Sequence, residues 1–141
     1  MFVFTSVKAE SPSCEYFGSS EREQIESQIN IALDILTVEA LSESEIERTS
    51  SITGTTSRTR FRVIRKWKEQ SGRTIRPEIV VETWFSDKLQ YEVGESYLMY
   101  TTFNAGSYLF YTNICMGTKN IKDVSKLEWE LNSEIHNNYK N

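Results

Sequence analysis

Apolar and polar residues alternate along several stretches of this chain, and the alternation predicts a mainly β protein. Every second residue in 29–35 is apolar, which gives one apolar face to an extended segment, so we predict a strand over residues 29–41. Residues 75–85, 96–103 and 107–113 are rich in β-branched and aromatic side chains and predict three later strands.

A further strand is predicted over residues 58–68. Phe61, Val63 and Trp67 share one parity there, and basic residues occupy the other, as expected for a strand with one solvated face. Arg65 interrupts the apolar row and marks either a β-bulge or the end of the strand.

Helices are predicted at both ends of the strand region. Ser20, followed three residues later by Glu23, forms a capping-box signature and predicts a short helix over residues 19–27. Near the other end, four apolar residues recur at helical spacing and predict an amphipathic helix. These four residues are Val124, Leu127, Leu131 and Ile135.

The segment 42–57 is rich in Ser, Thr and Glu, and we interpret it as a surface loop. Five strands with a helix at each end predict a five-stranded OB-fold (Greek-key) barrel. With 141 residues, of which 38% are hydrophobic, the chain can bury one core. We assign residues 10–136 to this domain and 137–141 to a polar tail.

The composition limits where in the cell this protein is expected and which partners it is expected to bind. A net charge of −4 argues against a surface that binds nucleic acid or anionic lipid throughout. No stretch is apolar enough to span a membrane. Residues 1–9 end an apolar run on a small residue, so they are either the remnant of a signal peptide or an ordinary flexible N-terminus.

The two cysteines, Cys14 and Cys115, are separated by 101 positions (115 minus 14). This separation excludes a zinc knuckle or a redox CxxC motif and leaves either a long-range disulfide or two unrelated buried thiols. Ligation of zinc by both cysteines and His136 has no supporting ligand spacing. His136 is the only histidine and lies in a polar segment, so we expect neither a catalytic triad nor a metal or cofactor.

Four segments, in this order and at this spacing, resemble the netrin-like domain, which is shared by tissue inhibitors of metalloproteinases and by many bacterial secreted proteins. They are Cys14 ahead of a helix and the stretches 61–68, 91–100 and 111–118. The resemblance covers about residues 13–131. It implies an OB-fold barrel, export and a non-catalytic binding role.

The departures from that family also have implications. Family members typically begin Cys-x-Cys, with the first cysteine bridged to a Cys-Gly in the middle of the chain. Here Pro12 occupies the first position and residues 86–88 contain no cysteine. The resemblance therefore implies a Cys14–Cys115 disulfide. It also argues against metalloprotease inhibition, because the inhibitors bind the protease zinc through the α-amine of that missing first cysteine.

A second hypothesis is a site for polyanions or oligonucleotides on the basic strand, although nucleic acid is not the expected partner of an exported acidic protein. The alternative is a solvated arginine face, paired with acids across the sheet. The candidate patch consists of Arg58, Arg60, Arg62, Lys66, Lys68 and Trp67, and either Trp67 or Trp84 could stack against a ligand.

A set of aromatic residues is compatible with a carbohydrate platform, but cross-strand packing in a barrel explains the set more simply. The set comprises Tyr97, Tyr100, Phe103, Tyr108, Phe110 and Tyr111.

The sequence thus predicts a secreted or cell-envelope domain, monomeric and not an enzyme, that binds an extracellular protein or an envelope ligand. The predicted contact surface is a ridge near the start of the chain, which the disulfide would hold rigid. The ridge consists of Ser11, Pro12, Ser13, Cys14 and Glu15.

Overall fold

A computed structural model describes residues 20–50, 54–84, 89–103, 109–113 and 115–140 of the chain. These residues form a mainly β structure in which a closed five-stranded barrel is flanked by one helix before it and one after it. The predicted fold class is confirmed.

The described elements follow the predicted order, with one additional hairpin strand before the long basic strand and one short strand before the last helix. In chain order they are α1 (Glu21–Ile31), β1 (Asp34–Ala40), β2 (Glu45–Ser50), β3 (Gly54–Glu69), β4 (Glu78–Trp84), β5 (Ser96–Phe103), β6 (Phe110–Asn113), β7 (Lys119–Asn120), a 3-10 turn (Ile121–Asp123) and α2 (Lys126–Lys140).

Strand pairing closes the barrel in the order β1–β3–β4–β6–β5, and β5 pairs back to β1. All of these pairs are antiparallel except β4 with β6, which is parallel. β2 forms a hairpin with β3, and β7 pairs with β5. This arrangement is consistent with an OB-fold.

The first helix begins as predicted and ends later. Ser20 Oγ accepts a hydrogen bond from Glu23 N at 3.1 Å, and Glu23 Oε1 accepts one from Ser20 N at 3.4 Å, which completes the capping box. The helix continues to Ile31, so the prediction that a strand starts at residue 29 is wrong. Ile25 and Ile29, four residues apart, face the core, and this helical spacing overrides the local alternation.

The loop predicted over residues 42–57 is also wrong, because β2 and the first part of β3 form a hairpin there. Polar residues occupy buried strand positions: Thr56, Ser57 and Thr59 are each about 1% exposed. Ser44 Oγ and Thr59 Oγ1 lie 2.7 Å apart and share a hydrogen bond. This hydrogen bond offsets the cost of burying the Thr59 hydroxyl.

Two β-bulges divide β3 near its middle. Its register against β1 shifts by one residue at two places, leaving Ile64 and Trp67 without a partner in β1. The bulges lie on either side of Arg65, where the sequence predicted a bulge or a strand end. Because each extra residue turns the following side chains, Phe61 points into the barrel while Trp67 packs outside it.

Two apolar clusters result. The first fills the barrel around Phe61 and Met99, and the second lies between the barrel and the two helices. Leu131 in α2 is buried in the second cluster, and the other three apolar residues predicted for that helix pack against it. The amphipathic C-terminal helix is confirmed.

Candidate binding site

An aromatic pocket of about 350 Å³ opens on the neighbouring strands β4, β6 and β5. Trp84, Phe103 and Tyr111 contribute rings to its lining, together with Asn113 and Met116. Its volume lies in the range of about 300–1,000 Å³ that is usual for ligand sites. The three half-buried aromatic side chains make this pocket the best-formed candidate site on the described surface.

Strand register brings these rings together. Trp84 is the last residue of β4 and pairs with Asn113 in the parallel strand β6, while Tyr111 pairs with Thr102 of β5. The rings of Trp84 and Tyr111 meet edge to face, with centroids 6.5 Å apart and planes at 89°. Neighbouring strands therefore fix the pocket, which lowers the entropic cost of binding.

Glu82 holds the indole of Trp84 in place. Trp84 Nε1 donates a hydrogen bond to Glu82 Oε2 at 2.7 Å, and the other carboxylate oxygen accepts one from Arg58 Nε at 3.3 Å. Glu82 itself is 8% exposed. The carboxylate thus links the basic strand to the aromatic pocket.

A buried polar network lies between the barrel and α2. The hydroxyl of Tyr100 donates to Glu128 Oε2 at 2.6 Å and accepts from Asn132 Nδ2 at 3.0 Å, and Lys119 Nζ lies 2.8 Å from both carboxylate oxygens. Burial, together with the Glu128 charge, raises the pKa of the Tyr100 hydroxyl far above its usual value. The network keeps Tyr100 protonated and fastens α2 to β5.

The predicted aromatic set divides into two groups. Tyr97, Tyr100 and Phe110 are buried in the clusters, as cross-strand packing requires. Phe103 and Tyr111 line the pocket, and Tyr108 lies outside the described residues. The sequence named Trp84 as a stacking candidate, and the structure places it beside these two rings.

Acidic residues on neighbouring strands pair with the arginines of the first part of β3. Arg58 and Arg60 pair with Glu82 and Glu78 of β4, at 3.3 and 2.9 Å. Arg62 pairs in the same way, with Glu39 of β1. These contacts are those of the alternative interpretation, in which a solvated arginine face is balanced by acids across the sheet.

Two other members of the predicted basic patch are buried. Trp67 is 6% exposed, and its Nε1 donates to Thr37 Oγ1 at 2.9 Å. Lys68 is 4% exposed, and its Nζ donates to the carbonyls of Ile29 and Ala32 at 2.7 Å each. Burial lowers the pKa of Lys68. Lys68 therefore stabilises the end of α1, and Lys66 is the exposed patch member without a described ion pair.

The predicted ridge, with Pro12 and Cys14, lies outside the described residues, as do residues 1–9. Cys115 follows β6 in a turn, where its backbone N–H donates to Asn113 Oδ1 at 2.8 Å. Asn113 and Met116, on either side of Cys115, both line the aromatic pocket. A Cys14–Cys115 disulfide, which stays a prediction, would therefore hold the ridge next to this pocket.

His136 meets the ring of Trp67 edge to face at 5.9 Å. Within the described ranges, no group of three or more His, Cys, Asp or Glu side chains is arranged to hold a metal ion. Neither of the two described helices combines the length and apolar content that crossing a membrane requires.

No protein-family model matches this chain, and no curated protein matches it. The resemblance to netrin-like domains therefore stays a prediction, and function has to be argued from the geometry of the aromatic pocket and of β3.

Proposed function

We propose that this protein is a non-catalytic binding domain of the netrin-like class, exported or held in the cell envelope. It binds a partner protein through the aromatic pocket and the ridge beside it. Metalloprotease inhibition is not part of the proposal, because Pro12 stands where the zinc-binding cysteine of the inhibitors would be.

The observation that carries the proposal is the set of three rings that line one pocket. Trp84, Phe103 and Tyr111 each come from a different strand, so their spacing is fixed by the sheet. Partly exposed aromatic side chains in a pocket are typical anchor points of protein interfaces. We expect an apolar or aromatic side chain of the partner to occupy the pocket.

The pocket can be tested with 5-fluorotryptophan incorporated in place of all three tryptophans. The ¹⁹F resonance of each is assigned by single Trp-to-Phe variants. On titration with N-acetyl-tryptophanamide and N-acetyl-leucinamide, we expect the Trp84 resonance to shift. Trp67 serves as the internal control, because it is packed against Trp129 in the second cluster. Equal shifts of all three resonances, or none at all, would contradict the pocket assignment.

Export and the disulfide can be tested together by intact mass. Protein from its native host is alkylated at thiols with and without prior reduction. Absence of alkylation until reduction, together with a start near Glu10, would support both the Cys14–Cys115 bridge and export. An unprocessed chain with two free thiols would reverse the extracellular assignment.

A further inference from the structure

The second half of β3 has an edge that no described strand covers. β4 pairs with β3 only as far as Arg62, opposite Glu78, and β1 pairs along the other edge. One further backbone hydrogen bond runs from Val63 N to Pro77 O at 2.8 Å. In the described part of the chain, residues 64–69 therefore present an open edge to which another strand can add.

A cavity of about 480 Å³ lies along this edge. Val63, Ile64, Ile75 and Pro77 supply its apolar lining. Ile64, the first bulge residue, is 54% exposed and lies on the lining of this cavity. The cavity can therefore receive apolar side chains of a ligand.

Three cations line the same cavity: Arg65, Lys66 and Arg76. All three are exposed, and among the described residues no carboxylate lies within ion-pair distance of any of them. The cation of Arg65 lies 4.0 Å from the centroid of the Trp67 ring, which restrains it. Glu69 is the acid on the lining, so positive charge prevails.

We propose that this edge binds an extended acidic peptide of a partner protein as an added β-strand. The peptide backbone pairs with residues 64–69, its carboxylates meet Arg65, Lys66 and Arg76, and its apolar side chains enter the cavity. Charge complementarity selects the ligand, and main-chain hydrogen bonds fix its direction.

Other polyanions would use less of this surface. Single-stranded nucleic acid is usually held by exposed rings on which its bases stack, but the only aromatic ring among the described residues that line this cavity is the imidazole of His136, which packs against Trp67. Trp67 is covered by Trp129 and His136. A sulfated polysaccharide would engage the cations and leave the open edge and the apolar lining unused.

The edge is separate from the aromatic pocket. Glu78 and Trp84 are the two ends of the seven-residue strand β4, which is about 20 Å long at 3.3 Å per residue. Failure at one site would therefore leave the other untouched.

The test uses fluorescence anisotropy with a labelled eight-residue peptide of alternating Glu and Val. Two further versions carry N-methyl groups on one or the other alternate set of amides, because only one set can face β3. We expect the parent to bind, one methylated peptide to bind roughly tenfold or more weakly, and the other to bind like the parent. A Lys–Val peptide should not bind. Equal affinity of the two methylated peptides would overturn strand addition.

Two variants that remove the same number of charges locate the site. R65Q/K66Q/R76Q should weaken binding of the Glu–Val peptide roughly tenfold or more, whereas R58Q/R60Q/R62Q should change it by about twofold at most. Equal losses would overturn the assignment. If either variant fails to fold by its ¹H–¹⁵N spectrum, the pair of methylated peptides decides alone.

Two competitors separate the alternatives. A sulfated polysaccharide and oligothymidylate are titrated against the wild type under the same conditions. Binding of either one without binding of the Glu–Val peptide would replace the proposal with an anion site of that class.

Discussion

The two halves of β3 carry similar basic residues but differ in their surroundings. Arg58 and Arg60, in the first half, lie opposite acids of β4. Arg65 and Lys66, in the second half, lie beyond the point where β4 pairs, and the described residues offer them no acid at ion-pair distance. The sequence shows one continuous basic strand. Strand register gives the arginines of its first half acidic partners, whereas the described residues give the cations of its second half none.

The buried sides of the two halves differ as well. Phe61 packs in the barrel cluster, and Trp67 packs against Trp129 in the second cluster. The bulges at Ile64 and Trp67 separate them. One strand therefore presents two outer faces of different charge and two inner faces that belong to different cores. Substitutions in each half test this division.

The largest effect is expected for Trp67→Ala. It would remove the ring that packs on Trp129, the hydrogen bond to Thr37 Oγ1 and the support of Arg65. We expect the free energy of unfolding in urea to fall by about 3–5 kcal/mol. Trp67→Phe is the control: it keeps most of the packing and should cost clearly less. A loss of less than about 1 kcal/mol in the alanine variant would mean that Trp67 is not a core residue.

Lys68→Met is expected to have the next largest effect. Lys68 Nζ is the buried donor to the carbonyls of Ile29 and Ala32, so its removal leaves two acceptors without this partner and Asp34 without a nearby positive charge. Urea unfolding at neutral pH should show a loss of about 2–4 kcal/mol. Wild-type stability in this variant would show that other groups satisfy the helix end.

The same pair of proteins should differ in pH dependence. Burial lowers the pKa of Lys68 in the folded state, and attraction by Asp34 opposes that shift only in part. Between the folded and unfolded pKa values, the unfolded chain binds more protons, so wild-type stability rises with pH across that window. Lys68→Met lacks this contribution. The stability difference between the two should therefore widen as the pH approaches about 10, and a difference independent of pH would contradict the shift.

Charge removal from the two outer faces should have smaller and unequal effects. R58Q/R60Q/R62Q breaks three ion pairs and should cost about 1–2 kcal/mol in low salt, because exposed pairs contribute at most about 1 kcal/mol each. R65Q/K66Q/R76Q breaks no ion pair that the described residues show and removes only the contact of Arg65 with the Trp67 ring, so it should cost less, about 0.5–1 kcal/mol. Urea unfolding at low and high salt measures both. Equal costs would remove the distinction between the halves.

The smallest effect on stability is expected for Ile64→Ser. This bulge residue is 54% exposed, so its replacement should change the free energy of unfolding by no more than about 0.5 kcal/mol. A larger loss would show that Ile64 packs in the fold and is not free to contact a ligand.

How much of this fold the sequence predicts depends on whether the contacts are local or distant along the chain. Strand β5 was predictable because it is rich in aromatic and β-branched residues, helix α2 because its apolar residues follow the helical period, and the Ser20 capping box is local. The end of α1 was not, because Ile29 fits both a strand row and a helical spacing with Ile25. The β2–β3 hairpin was missed because strand pairing buries Thr56 and Thr59, and the hydropathy of these polar residues does not indicate burial.

The candidate sites depend on still longer-range information. Trp84 was a visible candidate, but its place beside Tyr111 follows from the parallel pairing of β4 with β6. The register of β3 against β4 and β1 determines which arginines have an acidic partner. Neither can be obtained from spacing along the chain.

The 16-residue strand β3 also determines how the domain comes apart. It supplies Phe61 to one apolar cluster and Trp67 to the other. Detaching this strand from one cluster therefore also disrupts the other cluster. Regions that share a continuous element in this way open together in hydrogen exchange. We therefore expect the barrel and its helical cover to unfold as a single cooperative unit, with melting of α2 coupled to the barrel through β3 and, by the hydrogen bond from Tyr100 to Glu128, through β5.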